Sequence, residues 1–284
     1  MWRLVVPDFE NARENLLSAL TFVDGTVVHL LSEIEHSAIL DLYTAYDNNL
    51  GQPATHLEGD NLSEELRQAL HNAYSQVQIG GRLASYRNQL KLLAELCPYC
   101  GYGSITDLDH HLPRSKYRVH SLYAKNLIPS CHPCNNLKRA KAGDSASAQF
   151  SHVYLGAYPT EQFLFASITI LQKGIGVVYG VEPVASLSAD EHARLKFQFE
   201  TLQLNDRYGP QINIFLGGLR TSIEECGALG APVLKAYLAK AHSSHCQSFG
   251  ANHWQSVLLM ALSKSDEFCS GGYKTSFGQH RVVV

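Results

Sequence analysis

Two pairs of cysteines are the residues of this chain best suited to hold a metal ion. Cys97 pairs with Cys100 and Cys131 with Cys134, and 30 residues separate the two pairs. Structural zinc takes four tetrahedral ligands, and two Cys-x2-Cys turns supply four thiolates. We therefore predict one structural Zn2+ site formed by these four cysteines. A zinc-binding module without catalytic activity would carry the same pattern.

The segment between the cysteine pairs contains residues suited to the hydrolysis of a phosphodiester bond. Asp109, His110 and His111 follow one another, and Pro113 comes two residues later. A carboxylate oxygen suits a divalent cation such as Mg2+, and a neutral imidazole can accept a proton from water. Along an extended strand Asp109 and His110 point in opposite directions, so one can face a metal and the other a water molecule. Zinc binding at both ends would bring the interior of this segment together.

Basic side chains are concentrated in the same segment. Cys97 to Lys141 contains seven basic and two acidic residues, although the whole chain has a net charge of −3. This asymmetry predicts a surface that attracts phosphates on an otherwise acidic body. The alternative is a solvated basic loop with no ligand. The basic residues that we expect to contact nucleic acid are Arg114, Lys116, Lys138 and Arg139.

Three short motifs resemble those of the HNH, or ββα-metal, endonucleases, in the subgroup with two Cys-x2-Cys zinc knuckles. The motifs are residues 109–117 (DHHLPRSKY), residues 126–131 (NLIPSC) and residues 134–138 (CNNLK). The resemblance implies a metal-dependent phosphodiester hydrolase with DNA favoured over RNA as its substrate. It also implies a catalytic Mg2+ or Mn2+ in addition to the structural Zn2+.

The same resemblance implies a role for four residues. His110 would be the general base, Asp109 and Asn135 would hold the catalytic metal, and Asn126 would support the loop between them. Asn126 lies 16 residues after His110 and nine before Asn135, and these spacings suit the family. His111 leaves an alternative open, because some members use the second histidine of such a pair as the base. The intact Asp-His-x-x-Pro register favours His110.

Two further segments resemble regions that follow the nuclease core in standalone bacterial HNH proteins. They are residues 150–155 (FSHVYL) and residues 202–208 (LQLNDRY). Some of those proteins belong to anti-phage defence systems and act beside an ATPase, so the resemblance implies a defence effector with an ATPase or another protein as partner. Two alternatives stay open: a restriction or homing-type HNH nuclease with its own sequence specificity, and a catalytically silent zinc-dependent module that binds nucleic acid or serves as a scaffold.

We predict an α+β fold, in which a mostly helical chain carries a central zinc-stapled ββα-metal (HNH) nuclease core. The predicted regions are a helical N-terminal region (1–96), the nuclease core (97–142) and an α+β C-terminal region (143–284). In the last region, residues 163–181 read as a β-hairpin that precedes helices. Apolar residues at helical spacing predict a stripe that faces the core. Its members are Leu16, Leu17, Leu20, Val27, Leu30, Leu31, Ile34, Ala38 and Leu42.

Composition narrows the class of protein. The chain has 284 residues, of which 45% are hydrophobic and 17% charged, as in a folded soluble protein. No apolar run approaches the roughly 20 residues that a membrane span needs, and the N-terminus lacks a secretion signal. We therefore expect a cytoplasmic protein without a membrane partner. Seven cysteines in a reducing compartment favour metal ligands and free thiols over disulfides.

Overall fold

The computed structural model describes residues 2–7 and 12–277, and the chain divides into two compact units. The first unit contains residues 3–157, and the second begins at Tyr158 and includes Trp2. The fold is α+β and mostly helical. The first unit thus combines the predicted N-terminal region, the predicted core and residues 143–157. Within the described ranges, no helix is both long and apolar enough to cross a bilayer.

Among its described residues, the first unit has a short β-hairpin and five α-helices. Ser32 and Ser63 cap two of these helices, because their hydroxyl oxygens accept hydrogen bonds from backbone N–H groups of the first turn. In chain order the elements are α1 (Ala12–Ala19), α2 (Glu33–Asn48), α3 (Glu64–Ala73), α4 (Ala84–Lys91), β1 (Asp107–His110), β2 (Leu127–Ser130) and α5 (His132–Lys138).

The core of the first unit lies between helices α1 to α4 and one face of the hairpin. Leu108 of β1 and Leu127 of β2 are buried in the same apolar cluster as side chains from all four helices. Helix α4 packs against both strands. Helices α1 to α4 therefore form a platform that fixes the hairpin from one side and leaves its other side to α5.

The predicted apolar stripe is only partly buried, and four of its nine members are exposed. Leu16, Leu20 and Leu42 are buried as predicted, but Leu30 and Ile34 are 85% and 84% exposed. Leu17 and Val27 are also exposed. Residues 20–32 are not helical, so helical periodicity does not apply there, and α2 begins only at Glu33. The stripe was therefore extended through a segment that has no helical face.

The second unit begins with the predicted β-hairpin, which is confirmed. Strands β3 (Leu164–Leu171) and β4 (Gly174–Val181) pair antiparallel, with Leu171 opposite Gly174. The predicted return to helix is also confirmed. The helices are α6 (Ala189–Thr201), α7 (Leu204–Ala228), α8 (Ala231–Phe249), α9 (Trp254–Lys264) and the short α10 (Asp266–Cys269).

Candidate metal centre and hydrolytic site

The four predicted zinc ligands form one buried cluster. Their Sγ atoms all lie within 4.8 Å of one another. The Sγ atoms of Cys100 and Cys131 are 3.8 Å apart, and sulfurs about 2.3 Å from a shared tetrahedral zinc are separated by about 3.8 Å. All four are free thiols. Donor type, number and spacing therefore fit a structural zinc ion, and four protein ligands leave no coordination position for a substrate.

Glycines allow the first knuckle to approach the second. The Gly101 N–H donates to the Cys97 carbonyl over 2.8 Å, and Gly101 has a φ of +81°, which favours glycine. At Gly103 a Cβ atom would lie 2.8 Å from the Sγ of Cys131 and 3.3 Å from that of Cys100. The close approach of the two knuckles therefore requires a residue without a side chain at position 103.

The segment between the knuckles supplies a hairpin on which α5 is packed. Strands β1 and β2 pair antiparallel, with Asp109 opposite Ile128 and His110 opposite Leu127. Helix α5 begins directly after Cys131, one of the predicted zinc ligands. Asp107 and Asp109 lie two residues apart on β1, so their side chains share a face, and both contact α5. The strand thus presents two carboxylates to one short helix.

Asp109 is held by a buried lysine. The Lys138 ammonium lies 3.2 Å from Oδ1 and 3.1 Å from Oδ2 of Asp109, and it also donates to the His110 carbonyl over 2.7 Å. The Tyr99 hydroxyl donates to Asp109 Oδ2 over 2.8 Å. Burial raises the pKa of Asp109, while the Lys138 charge and the Tyr99 hydrogen bond oppose that shift. Lys138 is 0% exposed, which corrects its predicted contact with nucleic acid.

Asn135 contacts the other carboxylate of β1. Its Nδ2 donates to Asp107 Oδ2 over 3.0 Å, and Nδ1 of His132 lies 2.9 Å from the same oxygen. Partial burial raises the pKa of Asp107, but these hydrogen bonds outweigh it and leave the pKa below its usual value. Asp109 and Asn135 therefore have different partners in this structure, Lys138 and Asp107 respectively. Across the described residues, the four cysteines are the one group of three or more His, Cys, Asp or Glu side chains arranged to hold a metal.

His110 lies on the opposite side of β1 from the two carboxylates. Its Nε2 is 3.1 Å from the Ser121 carbonyl oxygen. A carbonyl only accepts, so Nε2 carries the proton and Nδ1 is left as the basic nitrogen. The ring also meets Tyr74 edge-on, with centroids 4.4 Å apart. Burial lowers the pKa of His110 to about 3, against the effect of the Ser121 hydrogen bond, so the ring is neutral at neutral pH.

His111, the alternative base, points into the interior. It is 4% exposed, and its ring centroid lies 4.2 Å from that of His152. His110 by contrast is partly exposed. Of the two adjacent histidines, His110 is therefore the one that a solvent molecule or a phosphate can reach.

Asn126 holds together both ends of the loop after β1. Its Oδ1 accepts hydrogen bonds from the Leu112 N–H over 2.7 Å and from the Tyr46 hydroxyl over 3.1 Å. Its Nδ2 donates to the carbonyls of Leu112 over 3.1 Å and His120 over 3.0 Å. The side chain is fully buried. These contacts place Asn126 where it can support the loop, which is the role that the resemblance implies for it.

Two residues behind Asn126 were missed by the sequence reasoning. The Tyr46 hydroxyl also lies 2.9 Å from Nε2 of His152, and Nδ1 of His152 accepts from the Tyr154 N–H over 3.1 Å. The resemblance of residues 150–155 was the signal that could have identified His152. Tyr46 carries no such signal, because it sits on α2 with ordinary core spacing.

We expect Asn126→Ala to lower the free energy of unfolding by about 3 kcal/mol or more, because it leaves several buried polar groups without partners. Denaturation of the zinc-loaded chain by urea measures the change. Asn136→Ala is the matched control, because Asn136 is exposed and should cost less than about 0.5 kcal/mol. Equal midpoints for the two variants would contradict the supporting role of Asn126.

Three of the seven basic residues counted in the central segment are paired with acids from earlier in the chain. Arg114 is instead placed over the Tyr74 ring, 5.0 Å from its centroid. Within residues 2–7 and 12–277, no carboxylate pairs with Arg114, Arg139 or Lys141. The net positive charge that this segment can offer to a phosphate is therefore smaller than the sequence predicted. The three pairs are Lys116 with Glu58 at 3.3 Å, Arg118 with Glu64, and Lys125 with Asp47.

Arg139 directly follows the last residue of α5 and has a strained backbone conformation. Its φ is 50° and its ψ is −136°, a region that only glycine adopts readily. We expect Arg139→Gly to raise the free energy of unfolding by about 1 kcal/mol through relief of this strain. Arg139→Ala loses the same charge and keeps the strain, so it should bring no such gain. Urea denaturation of both variants measures the difference, and equal stability would contradict the strain.

One known protein is similar to this chain over a substantial length. Protein ea31 of Escherichia phage lambda is 25% identical over 205 residues, which cover 66% of this chain and 67% of that protein. No protein-family model matches the chain. No solved structure matches it.

Proposed function

We propose that this protein is an endonuclease of the HNH type, which hydrolyses phosphodiester bonds of nucleic acid, with DNA favoured over RNA. The observation that carries the proposal is the position of His110 on a hairpin that lies in sequence between the two cysteine pairs of the four-cysteine cluster. The Ser121 carbonyl holds Nε2 in its protonated form, so Nδ1 is available to take a proton from an attacking water.

The neighbouring residues support this assignment. Asn126 fixes the loop that carries the Leu112 and His120 carbonyls, so the backbone around His110 is preorganised. Arg114 packs over the same Tyr74 ring that meets His110. A guanidinium there is suited to bind a phosphate oxygen next to the base. We also propose that cleavage depends on Mg2+ or Mn2+, but we assign no step to that ion, because Asp109 is paired with the Lys138 ammonium and Asn135 donates to Asp107.

Plasmid cleavage tests the proposal. Purified, zinc-loaded wild type is incubated with supercoiled DNA and Mg2+ or Mn2+, and compared with His110→Ala. We expect the variant to lose about 100-fold or more of the cleavage rate, which is the usual share of a general base, with unchanged zinc content. His56→Ala replaces an exposed histidine elsewhere in the first unit and should cleave at the wild-type rate. Equal cleavage by wild type and His110→Ala would refute the role of His110.

A second candidate function is a catalytically silent zinc module that binds nucleic acid or acts as a scaffold. The observation that favours it is the ion pair of Lys138 with Asp109, because the carboxylate proposed for metal binding already has a buried counter-ion. Such a module would bind DNA or RNA in a filter-binding assay without cleaving either. Binding lost on Arg114→Ala, with no cleavage under any divalent cation, would support this function over the endonuclease.

An effector role in anti-phage defence, beside an ATPase, is the biological setting that we propose for the nuclease. Its support is the resemblance of residues 150–155 and 202–208 to segments of such effectors. Co-purification with the product of an adjacent ATPase gene tests it. Recovery of the chain without the ATPase would contradict the proposed partnership.

A further inference from the structure

Strand β3 of the second unit has an outer edge that is open over most of its length. The Glu182 N–H donates to the Phe163 carbonyl over 2.9 Å, so odd-numbered residues of β3 face β4 and even-numbered residues face outward. At the start of the strand, Asn252 Oδ1 accepts from the outward N–H of Leu164 over 3.0 Å. Within residues 2–7 and 12–277, no hydrogen bond reaches the N–H or C=O groups of the next three outward residues. These are Ala166, Ile168 and Ile170.

The same edge lacks the features that usually prevent strand pairing. The eight residues of β3, LFASITIL, include no charged residue, proline or glycine. Proteins protect an exposed edge with charges, prolines, bulges or a covering segment, because its open groups pair readily with another strand. Ala166, Ile168 and Ile170 are all partly exposed. Their open main-chain groups are therefore accessible to an added strand.

A second copy of β3 matches this edge in the number and position of its hydrogen bonds. When two copies lie antiparallel about a two-fold axis at Ile168, each Ile168 faces its counterpart, and each Ala166 faces Ile170 of the other copy. All of these are outward residues, so each opposed pair can exchange both of its hydrogen bonds. The three open N–H groups of each copy then meet the three open C=O groups of the other. The two hairpins would form one four-stranded sheet.

Charges beyond the two ends of β3 favour the same arrangement. Lys173 lies in the turn after the strand and is exposed, and no carboxylate of the described residues pairs with it. Glu161 lies before the strand, where Ser186 donates hydrogen bonds to its Oε2. In the two-fold pairing, Lys173 of one copy lies opposite Phe163 of the other and diagonal to its Glu161. Opposite charges at such diagonal positions attract each other, and the uncharged strand between them adds no repulsion.

We propose that two copies of this chain associate through their β3 strands, paired antiparallel about Ile168. The main-chain hydrogen bonds supply affinity, as in other cases of strand addition, and the charges beyond the ends set the register. A shared two-fold axis is the commonest symmetry of homo-oligomers. The inference concerns the second unit and stands apart from the proposed nuclease activity.

Sedimentation of the zinc-loaded full chain over a range of concentrations tests the dimer. We expect wild type to dimerise, and we expect Ile168→Pro to raise the dissociation constant about tenfold or more, because each copy loses a central hydrogen bond. The edge tolerates proline there, since the missing N–H faces outward. Ile168→Val keeps the N–H and should dimerise like wild type. A monomeric wild type, or equal dissociation constants for wild type and Ile168→Pro, would overturn the proposal.

The charges provide a second test that leaves β3 itself unchanged. Lys173→Glu brings like charges together and should weaken the dimer about threefold or more at low salt. Addition of Glu161→Lys makes the pair opposite again and should restore the affinity. Lys240→Glu makes the same change of charge on the exposed surface of α8 and is the control. A dissociation constant that none of these variants changes would contradict this register of pairing.

Hydrogen exchange of the wild type identifies what occupies the edge. The amides of Ala166, Ile168 and Ile170 should be protected in the concentrated dimer and exchange rapidly in the dilute monomer. The amides of Ser167 and Thr169 face β4 and should be protected in both samples. Protection of the outward amides in a monomer would show that another segment of the same chain covers the edge, and the proposed dimer would be wrong.

Discussion

Cys131→Ser is expected to lose its zinc and, with it, the cooperative unfolding transition of the first unit. Binding of a structural zinc ion to a four-ligand site supplies about 10–16 kcal/mol of apparent free energy. This is as large as the whole stability of a typical domain, about 5–15 kcal/mol. Asp109 would also be loosened, because Tyr99 lies between the ligands Cys97 and Cys100 and donates to its carboxylate. Zinc content by mass spectrometry and hydrogen exchange across residues 97–134 measure both effects.

Cys226→Ser is the matched control for this experiment. Cys226 lies on α7, outside the four-cysteine cluster, so its replacement should leave one zinc per chain and an unchanged transition. Native hydrogen-exchange protection in zinc-free Cys131→Ser would show that the helical platform holds the hairpin without the metal.

Acidification is expected to destabilise the first unit from about pH 6 downwards. Burial lowers the pKa of His120 and of His152 to about 3 each, whereas both should titrate near 6.5 in the unfolded chain. Below pH 6.5 the unfolded chain therefore binds more protons than the folded one, and stability falls with pH. Each histidine contributes a slope of about 1.4 kcal/mol per pH unit. Together they give about 2.7 kcal/mol per unit between roughly pH 6 and pH 4.

The variant His120→Gln isolates one of these contributions. A glutamine can still donate to the Leu57 carbonyl, which His120 Nε2 contacts over 3.1 Å, but it does not titrate. We expect the slope of unfolding free energy against pH to fall by about 1.4 kcal/mol per unit. Urea denaturation at several pH values, restricted to those at which zinc is retained, gives the slope. A slope equal to that of wild type would mean that His120 is not neutral when buried.

The four-cysteine cluster was predictable because the pattern that indicates it is local in the sequence. Each knuckle is a four-residue turn, and the two turns close on each other through a segment of 30 residues. The β3–β4 hairpin was predictable for the same reason, since alternating strands flank a short turn. Within each Cys-x2-Cys turn and across the β3–β4 hairpin, residues that are close in sequence are also close in space.

The pairing across β1 and α5 was not predictable from spacing alone. Asp107 and Asp109 share a strand face with period two, while Asn135 and Lys138 share a helix face at i and i+3. Either asparagine or lysine could reach Asp109, and the choice depends on where α5 lies along the strand. The resemblance implied that Asp109 and Asn135 hold one metal ion, whereas the structure pairs Asp107 with Asn135 and Asp109 with Lys138. The position of α5 along β1 in the packed structure determines which pairs form, and residue spacing alone does not predict that position.

The basic residues illustrate the same limit. Counting charges within Cys97 to Lys141 omits acids that approach from elsewhere in the chain. Asp47, Glu58 and Glu64 lie before Cys97 in the chain, yet they neutralise three of the cations. A local excess of positive charge predicts a phosphate-binding surface only where the fold brings no acidic residue from elsewhere in the chain next to it.

The buried position of Tyr46 sets an order of events during synthesis. Its hydroxyl partners, Asn126 and His152, follow it by 80 and 106 residues along the chain. At the usual rate of translation, about 5–20 residues per second, His152 leaves the peptidyl-transferase centre about 5–20 s after Tyr46. During that interval Tyr46 has been synthesised but His152 has not. The contact of the Tyr46 hydroxyl with His152 therefore forms only after all four cysteines of the cluster have been synthesised.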